Sequence, residues 1–390
     1  MRNNTVALPA VSNRKSKGFS LIEMMIVLVI GLVLISGMIT IFSATNQSSR
    51  LARAVATIQE DARFALEIMS KDIRITGFQG CTTIDESNVV VNAVNAPISD
   101  YSKGLRNSAI WVSEVVSATS WEPQLPFGSA FSQPSSNPAV IGTQVLALQF
   151  GGPIAYSLNA PVGIASPDPA GLIEIAGNPA DINIDTGDLA IISDCHGGDL
   201  FYVTATTDVS TTAKRIAHTT GNGTNSIDEF SGAYGSTAPL LRQARVMRFN
   251  SNIYYIGDTG LDNQSGDDIT ALYLQTYPFN SSNPPIELVQ GVEQLAVSFT
   301  QLDESGNALE ISAGDSAFDS SKVHSVRIGI LLSSYELVAD SNDTKTYQIA
   351  GQPVVPATSV TADELSHAGD SRLRLAFNTT VKVRNMRSQE

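Results

Sequence analysis

Residues Phe19 to Phe42 form an apolar run of 24 residues in which Glu23 is the only ionisable side chain. As a helix rising about 1.5 Å per residue, the run is long enough to cross the roughly 30 Å of a bilayer's hydrocarbon. The residues ahead of it include Arg2, Arg14, Lys15 and Lys17 and no acid. That asymmetry keeps the N-terminus cytoplasmic and sends the rest of the chain outward. An ordinary secretory signal is cut at a small residue after its apolar core and loses that core. Here the small residue, Gly18, precedes the core, so cutting there leaves the hydrophobic helix on the mature chain. A charge in a membrane helix is costly and usually functional. Glu23 therefore speaks against a plain signal anchor that merely begins Gly-Phe.

Beyond Phe42 the apolar pattern becomes one-sided. Leu51, Val55, Ile58, Ala62, Ala65 and Met69 recur at steps of four and three, while Arg50, Arg53, Glu60, Asp61, Arg63, Glu67 and Lys71 fill the other faces. This spacing predicts an amphipathic continuation of the same helix, ended by Gly77. From Phe19 to Ile75 such a helix spans roughly 85 Å, far more than a soluble core needs. Its apolar stripe must face a separate, folded head.

Lys17-Gly18-Phe19-Ser20-Leu21-Ile22-Glu23 followed by an apolar helix resembles the processing site of type IV prepilins. The resemblance implies peptidase cleavage between Gly18 and Phe19, N-methylation of Phe19, and Glu23 as the fifth mature residue. In that family the carboxylate neutralises a neighbouring subunit's N-terminal amine, which favours assembly and sets axial register. The helix end carries Phe64-Ala65-Leu66, Asp72-Ile73-Arg74 and Thr76-Gly77-Phe78-Gln79-Gly80-Cys81, a run similar to that of PilW-type minor pilins. Weaker echoes follow at Ser193-Asp194-Cys195, at Glu287 to Glu293 and at Phe377 to Asn385. Major pilins often carry a helix-kinking proline near the twenty-second mature residue, where this chain has Thr40.

The implied organisation is a cleaved leader over 1–18, a transmembrane and assembly helix over 19–42, its amphipathic continuation over 43–76, and a periplasmic β-rich head over 77–390. The fold class expected is α+β and pilin-like, with long loop insertions into one sheet. Removing the leader's four positive charges takes the formal net charge from −14 to −18, which argues against a whole-protein grip on nucleic acid. Cys81 and Cys195 are the only cysteines. In an oxidising periplasm one disulfide is their simplest use; two free thiols and half a metal site are the alternatives. Their spacing shows reachability alone.

Strands are expected at Val145–Phe150, Leu189–Ile192, Leu200–Thr204, Ile269–Leu274, Leu295–Phe299, Val323–Leu332 and Leu373–Val383. Loops are expected over Trp121–Pro138 and Gly221–Ser226. Catalytic constellations are scarce: His196, His218, His324 and His367 fall in no ligand-spaced motif. The adjacent Asp194, Cys195 and His196 do not by themselves make a nucleophile or metal site. Asp258, Asp262, Asn263, Asp267 and Asp268 miss the EF-hand pattern and read as a solvated turn. Arg372, Arg374, Lys382, Arg384 and Arg387 read as a solvated sheet face in preference to a DNA contact.

The resemblance implies a non-enzymatic minor pilin, without cofactor or metal, that primes a type IV pilus and is a candidate for its tip. Its implied partners are other minor pilins, the major pilin, the prepilin peptidase, the inner-membrane assembly platform and membrane lipid, with no small-molecule substrate and DNA disfavoured. It would reside in the inner membrane and then in the surface pilus. The rival readings are a J-type minor pseudopilin of type II secretion, and a tip adhesin or DNA receptor.

Overall fold

The structure, a computed structural model, describes residues 18–80, 89–90, 109–117, 120–123, 125, 137–159, 162, 172–194, 197–220, 225, 230, 234–235, 244–277, 283–303, 305–312, 315, 318–319, 322–359 and 364–385. The chain divides into two compact units, Met1–Arg53 and Ala54–Glu390. Helix α1 (Leu21–Ile75) supplies most of the described part of the first unit and the opening of the second.

The head is built from strands. Its first half holds β1 (Val89–Val90), β2 (Ile110–Ser117), β3 (Ser120–Glu122), β4 (Gln144–Ser157), β5 (Leu172–Ala176), β6 (Leu189–Asp194), β7 (Gly197–Tyr202), β8 (Ala205–Ser210) and β9 (Ala213–Ala217). Its second half holds β10 (Arg245–Asp262), β11 (Asp268–Thr276), β12 (Ile286–Gln290), β13 (Val292–Leu302), β14 (Ala308–Ser312) and β15 (Val323–Leu337). Four short or terminal strands complete it: β16 (Tyr347–Ile349), β17 (Gln352–Pro356), β18 (Leu365–His367) and β19 (Arg372–Lys382). All seven strands expected from hydrophobic pattern are present. The fold is α+β, with several mainly antiparallel sheets in place of the single sheet expected.

The largest sheet runs β1-β7-β6-β10-β4-β2-β3. β10 is long enough to change neighbours. Arg245 to Arg248 pair with β6, and from Asn252 onward the strand pairs instead with β11, which pairs with β12. The second sheet runs β14-β13-β15-β19. A single residue, Gly291, separates β12 from β13, so the chain changes sheets there. Its N–H donates to Thr270 O at 2.7 Å and its carbonyl accepts from Ser333 N–H at 2.8 Å, which stitches the two sheets together. Two smaller sheets, β16-β17-β18 and β5-β9-β8, flank them.

One helix stripe joins the two large sheets. Ile58, Ala62, Ala65, Met69 and Ile73 are buried with Ile110, Leu146, Leu148 and Tyr254 of the first sheet and with Leu295, Phe299, Ile328 and Ile330 of the second. Val326, Ile328 and Ile330 alternate with Arg327 and Gly329 as expected, although Gly329 on the other face is buried as well. The stripe is buried from Ile58 on, while Val55 is half-buried and Leu51 is exposed. Helix α1 stops at Gly77, which takes φ +77°, a conformation that glycine adopts without steric cost. Gly77 N–H then donates to Gln149 O at 2.9 Å, and Gly151 N–H donates to Phe78 O at 2.6 Å. The chain leaving the helix is thus bonded directly to β4.

Two expectations fail for physical reasons. Trp121 does not lie in a loop: it is buried in β3, its ring centroid 6.3 Å from that of Tyr255. Arg372 and Arg374 do not form a solvated face, nor a surface for DNA. Leu373 and Leu375 pack towards the helix-covered core, so the two arginines point to the sheet's other face, which is also covered. Arg374 donates Nε and Nη2 to Glu293 at 2.7 and 3.0 Å, and Nη2 also to Asp370 at 2.6 Å. Arg372 donates Nε to Asp370 at 2.7 Å and Nη1 to Asp268 O at 3.4 Å, reaching across to the first sheet. Burial acts to raise Asp370, but the bonds from Arg372 N–H and Arg374 outweigh it and hold its carboxyl below the usual range. Lys382 and Arg384 are exposed, and Arg387 lies outside the described residues.

Removing one partner from a buried ion pair strands the other charge in low dielectric. Arg374→Ala should therefore lower head stability by about 3–5 kcal/mol. Arg327→Ala, which breaks an exposed pair with Glu310, should cost about 1 kcal/mol or less. Urea midpoints of the two variants compare them directly, and equal midpoints would contradict the placement of Arg374.

Candidate functional site

In the first unit, Gly18, Phe19 and Ser20 precede the helix and are exposed, and α1 begins at Leu21. Met24 N–H donates to Ser20 O at 3.1 Å, closing the first turn. Ser20 followed three residues later by Glu23 is also capping-box spacing, which favours starting a helix here. Glu23 lies in the first turn and is exposed. From Gly18 to Arg53 every residue except Gly31 is exposed, including Leu21, Ile22, Leu28, Leu34 and Phe42. This stretch of helix is long and apolar enough to cross a membrane.

Two hydroxyls in and just beyond that stretch are satisfied by the helix itself. Thr40 Oγ1 donates to Ser36 O at 3.0 Å, and Thr45 Oγ1 to Ile41 O at 2.8 Å. Back-bonding of this kind lets polar side chains sit in lipid without a lost hydrogen bond. The helix passes Thr40 unbroken, as the missing proline predicts.

In the second unit, two carboxylates tie the helix to the sheets. Asp72 accepts from Asn252 Nδ2 and from Tyr254 Oη, both at 2.6 Å. Burial raises the Asp72 carboxyl, opposed by those two bonds. Asp61 accepts from Tyr335 Oη at 3.3 Å. Burial raises Asp61 too, while burial and the facing Asp61 push the Tyr335 hydroxyl up to about 12. The first link goes to β10 and the second to β15, so each large sheet holds the helix through a carboxylate beside the apolar stripe. Asn252, Tyr254 and Tyr335 carried no signal in the sequence, because single Asn and Tyr residues are common in strands and turns alike.

The other residues singled out from sequence do not converge. Cys81, Cys195 and His196 lie outside the described residues. His218 is buried against Phe201 and Phe230. His324 is half-buried on β15, and His367 is buried with Nε2 2.9 Å from Lys345 O. Asp194 accepts from Gly197 N–H at 3.0 Å across a hairpin turn. The Asp258–Asp268 stretch is the β10–β11 hairpin, in which Asn263 Oδ1 accepts from the Ser265 and Asp267 N–H groups. Among the described residues no His, Cys, Asp or Glu cluster is arranged to hold a metal ion.

Two family models match the chain. The prokaryotic N-terminal methylation motif matches residues 13–39, the basic leader, Gly18, Phe19, Glu23 and most of the exposed apolar helix. That match is consistent with a type IV pilin-like chain anchored by its N-terminal helix. The model of type IV pilus-assembly protein W, PilW, matches residues 253–385, from the middle of β10 to just past β19. The two matches together are consistent with a type IV pilin-like member of the PilW family, and they support a type IV pilus minor pilin in general. No curated protein and no solved structure matches the chain.

Proposed function

We propose that the chain is a minor pilin that helps initiate a type IV pilus through packing of α1 with other minor pilins, and that it occupies the growing tip. The observation that carries this reading is a helix with two chemistries. Its first part is apolar on all sides with one carboxylate, and its second part is apolar on one stripe that a folded head covers. Cleavage after Gly18 makes an α-amine on Phe19, which is methylated. In a bundle of such helices, Glu23 of one subunit neutralises the Phe19 amine of the next. The head stands in the periplasm until the subunit leaves the inner membrane for the surface pilus. The role is structural, and the PilW match over 253–385 favours a pilus over a secretion system.

The Ser20–Glu23 spacing also suits Glu23 to a local role as a capping-box acid, and substitution separates the two. Glu23→Gln keeps a side chain suited to the capping box but removes the charge, and Glu23→Ala removes both. Loss of one partner of a buried pair costs about 3–5 kcal/mol. Both variants should be processed and stable in the inner membrane yet fail to restore surface pili to a strain lacking the gene. Pilus counts at equal protein level decide it: normal piliation with Glu23→Gln would leave the charge without an assembly role.

A Cys81–Cys195 disulfide belongs to the same proposal, and the flanking residues support it. Ser193, two residues before Cys195, donates Oγ to Gln79 O at 2.7 Å. Gly80, one residue before Cys81, lies so close that a Cβ there would collide with Ser193 Oγ. Such a bond closes a loop of more than a hundred residues and stabilises by about 4–5 kcal/mol in the chain-entropy account. Non-reducing peptide mapping of the exported full chain should recover one peptide pair linked through both cysteines. Two alkylatable thiols would refute the bond.

A further inference from the structure

The face of the largest sheet turned away from the helix is apolar over Val145, Ala147, Phe249, Ile253, Tyr255, Ala271 and Tyr273. Gln149, Ser251 and Gln275 are among the polar side chains that interrupt it. Gln149 and Ser251 have no exposed surface, and Gln275 is 3% exposed. Both ends of the Gln149 amide, Ser251 Oγ and Gln275 Oε1 have no hydrogen-bond partner among the described residues. The register places them together. Gln149 and Ser251 are direct cross-strand partners on β4 and β10. Gln275 on β11 is paired with Ile253, one step diagonally from Ser251. All three share the face of Phe249, Ile253 and Tyr255, because side chains two apart on a strand point the same way.

Four orphaned atoms in one spot are hard to tolerate in a dry interior, where each uncompensated group is strongly disfavoured. The buried Gln144 amide, by contrast, is paired at both ends: Oε1 accepts from Val297 N–H, and Nε2 donates to Gln352 Oε1. Directly opposed residues on neighbouring strands have Cβ atoms about 4.5–5.5 Å apart, with diagonal neighbours about 7–8 Å apart. That is the separation one or two water molecules bridge with ordinary hydrogen bonds. We propose that Gln149, Ser251 and Gln275 form an internal hydration site that holds ordered water on this buried face of the largest sheet. One water accepts from the Gln149 amide and donates to Ser251 Oγ, and a second reaches Gln275 Oε1. The site lies beside the helix exit, since Gln149 is also the residue whose carbonyl accepts from Gly77 N–H.

The test is a high-resolution crystal structure of the processed full chain, joined to the thermal stability of Gln149→Met in the same detergent. The proposal expects ordered water within hydrogen-bond distance of the Gln149 amide and Ser251 Oγ. It also expects Gln149→Met to melt lower by about 2–4 °C, because methionine fills the space but cannot hold the water. A dry site in the density overturns the proposal. So does a Gln149→Met variant that melts higher, since replacing a truly unpaired amide by an apolar group of similar shape should stabilise.

Discussion

The burial of one helix stripe, Ile58 to Ile73, against two sheets at once is the contact on which the head depends. Neither large sheet could stand with that apolar face open to water, and the chain passes between them through a single residue at Gly291. The helix closes the surface that the two sheets share. Its small residues, Ala62 and Ala65, let the backbone approach closely, while Ile58, Met69 and Ile73 fill the space to either side. The large side chains of the all-round apolar part of the same helix are exposed. One helix therefore carries two different surface chemistries.

Polar contacts then fix how the pieces sit within the head. Apolar packing tolerates sliding, whereas Asp72 between Asn252 and Tyr254 does not, because a shift of one residue would strand a half-buried carboxylate. The Arg372–Arg374–Glu293–Asp370 cluster plays the same part on the far face of the second sheet. Such clusters add less to net stability than they cost when broken. Their effect is to make one arrangement much better than its neighbours.

Long-period patterns were legible in the sequence, and local polarity misled. The apolar run, the four-three stripe, the Gly77 stop and seven strands were readable because each repeats a burial pattern over many residues. β10, the longest strand, was missed. Its centre, Asn250-Ser251-Asn252, has the composition of a turn, yet Asn252 serves Asp72 and Ser251 is buried at a cross-strand position. Arg372 and Arg374 were misassigned because alternation shows that two faces differ, not that the charged face meets water. The division into several sheets was hidden for a similar reason, since a one-residue switch at Gly291 leaves no mark in composition. At the candidate site, Gly18, Phe19 and Glu23 could be singled out because the motif that contains them is local, and the methylation-motif match spans them. Their partners could not, because the amine that Glu23 would neutralise belongs to another subunit.

The account stands or falls on what happens between Gly18 and Phe19. Everything proposed for Glu23 requires a free, methylated amine at the head of the helix, with the apolar run retained behind it. Mass spectrometry of the N-terminal peptide, from the chain purified out of its native membrane, reads this directly. The account predicts a sequence that begins at N-methylated Phe19 and continues through Ser20, Leu21, Ile22 and Glu23. A mature chain that keeps Lys17 and Gly18, or one that starts beyond Phe42, would contradict it.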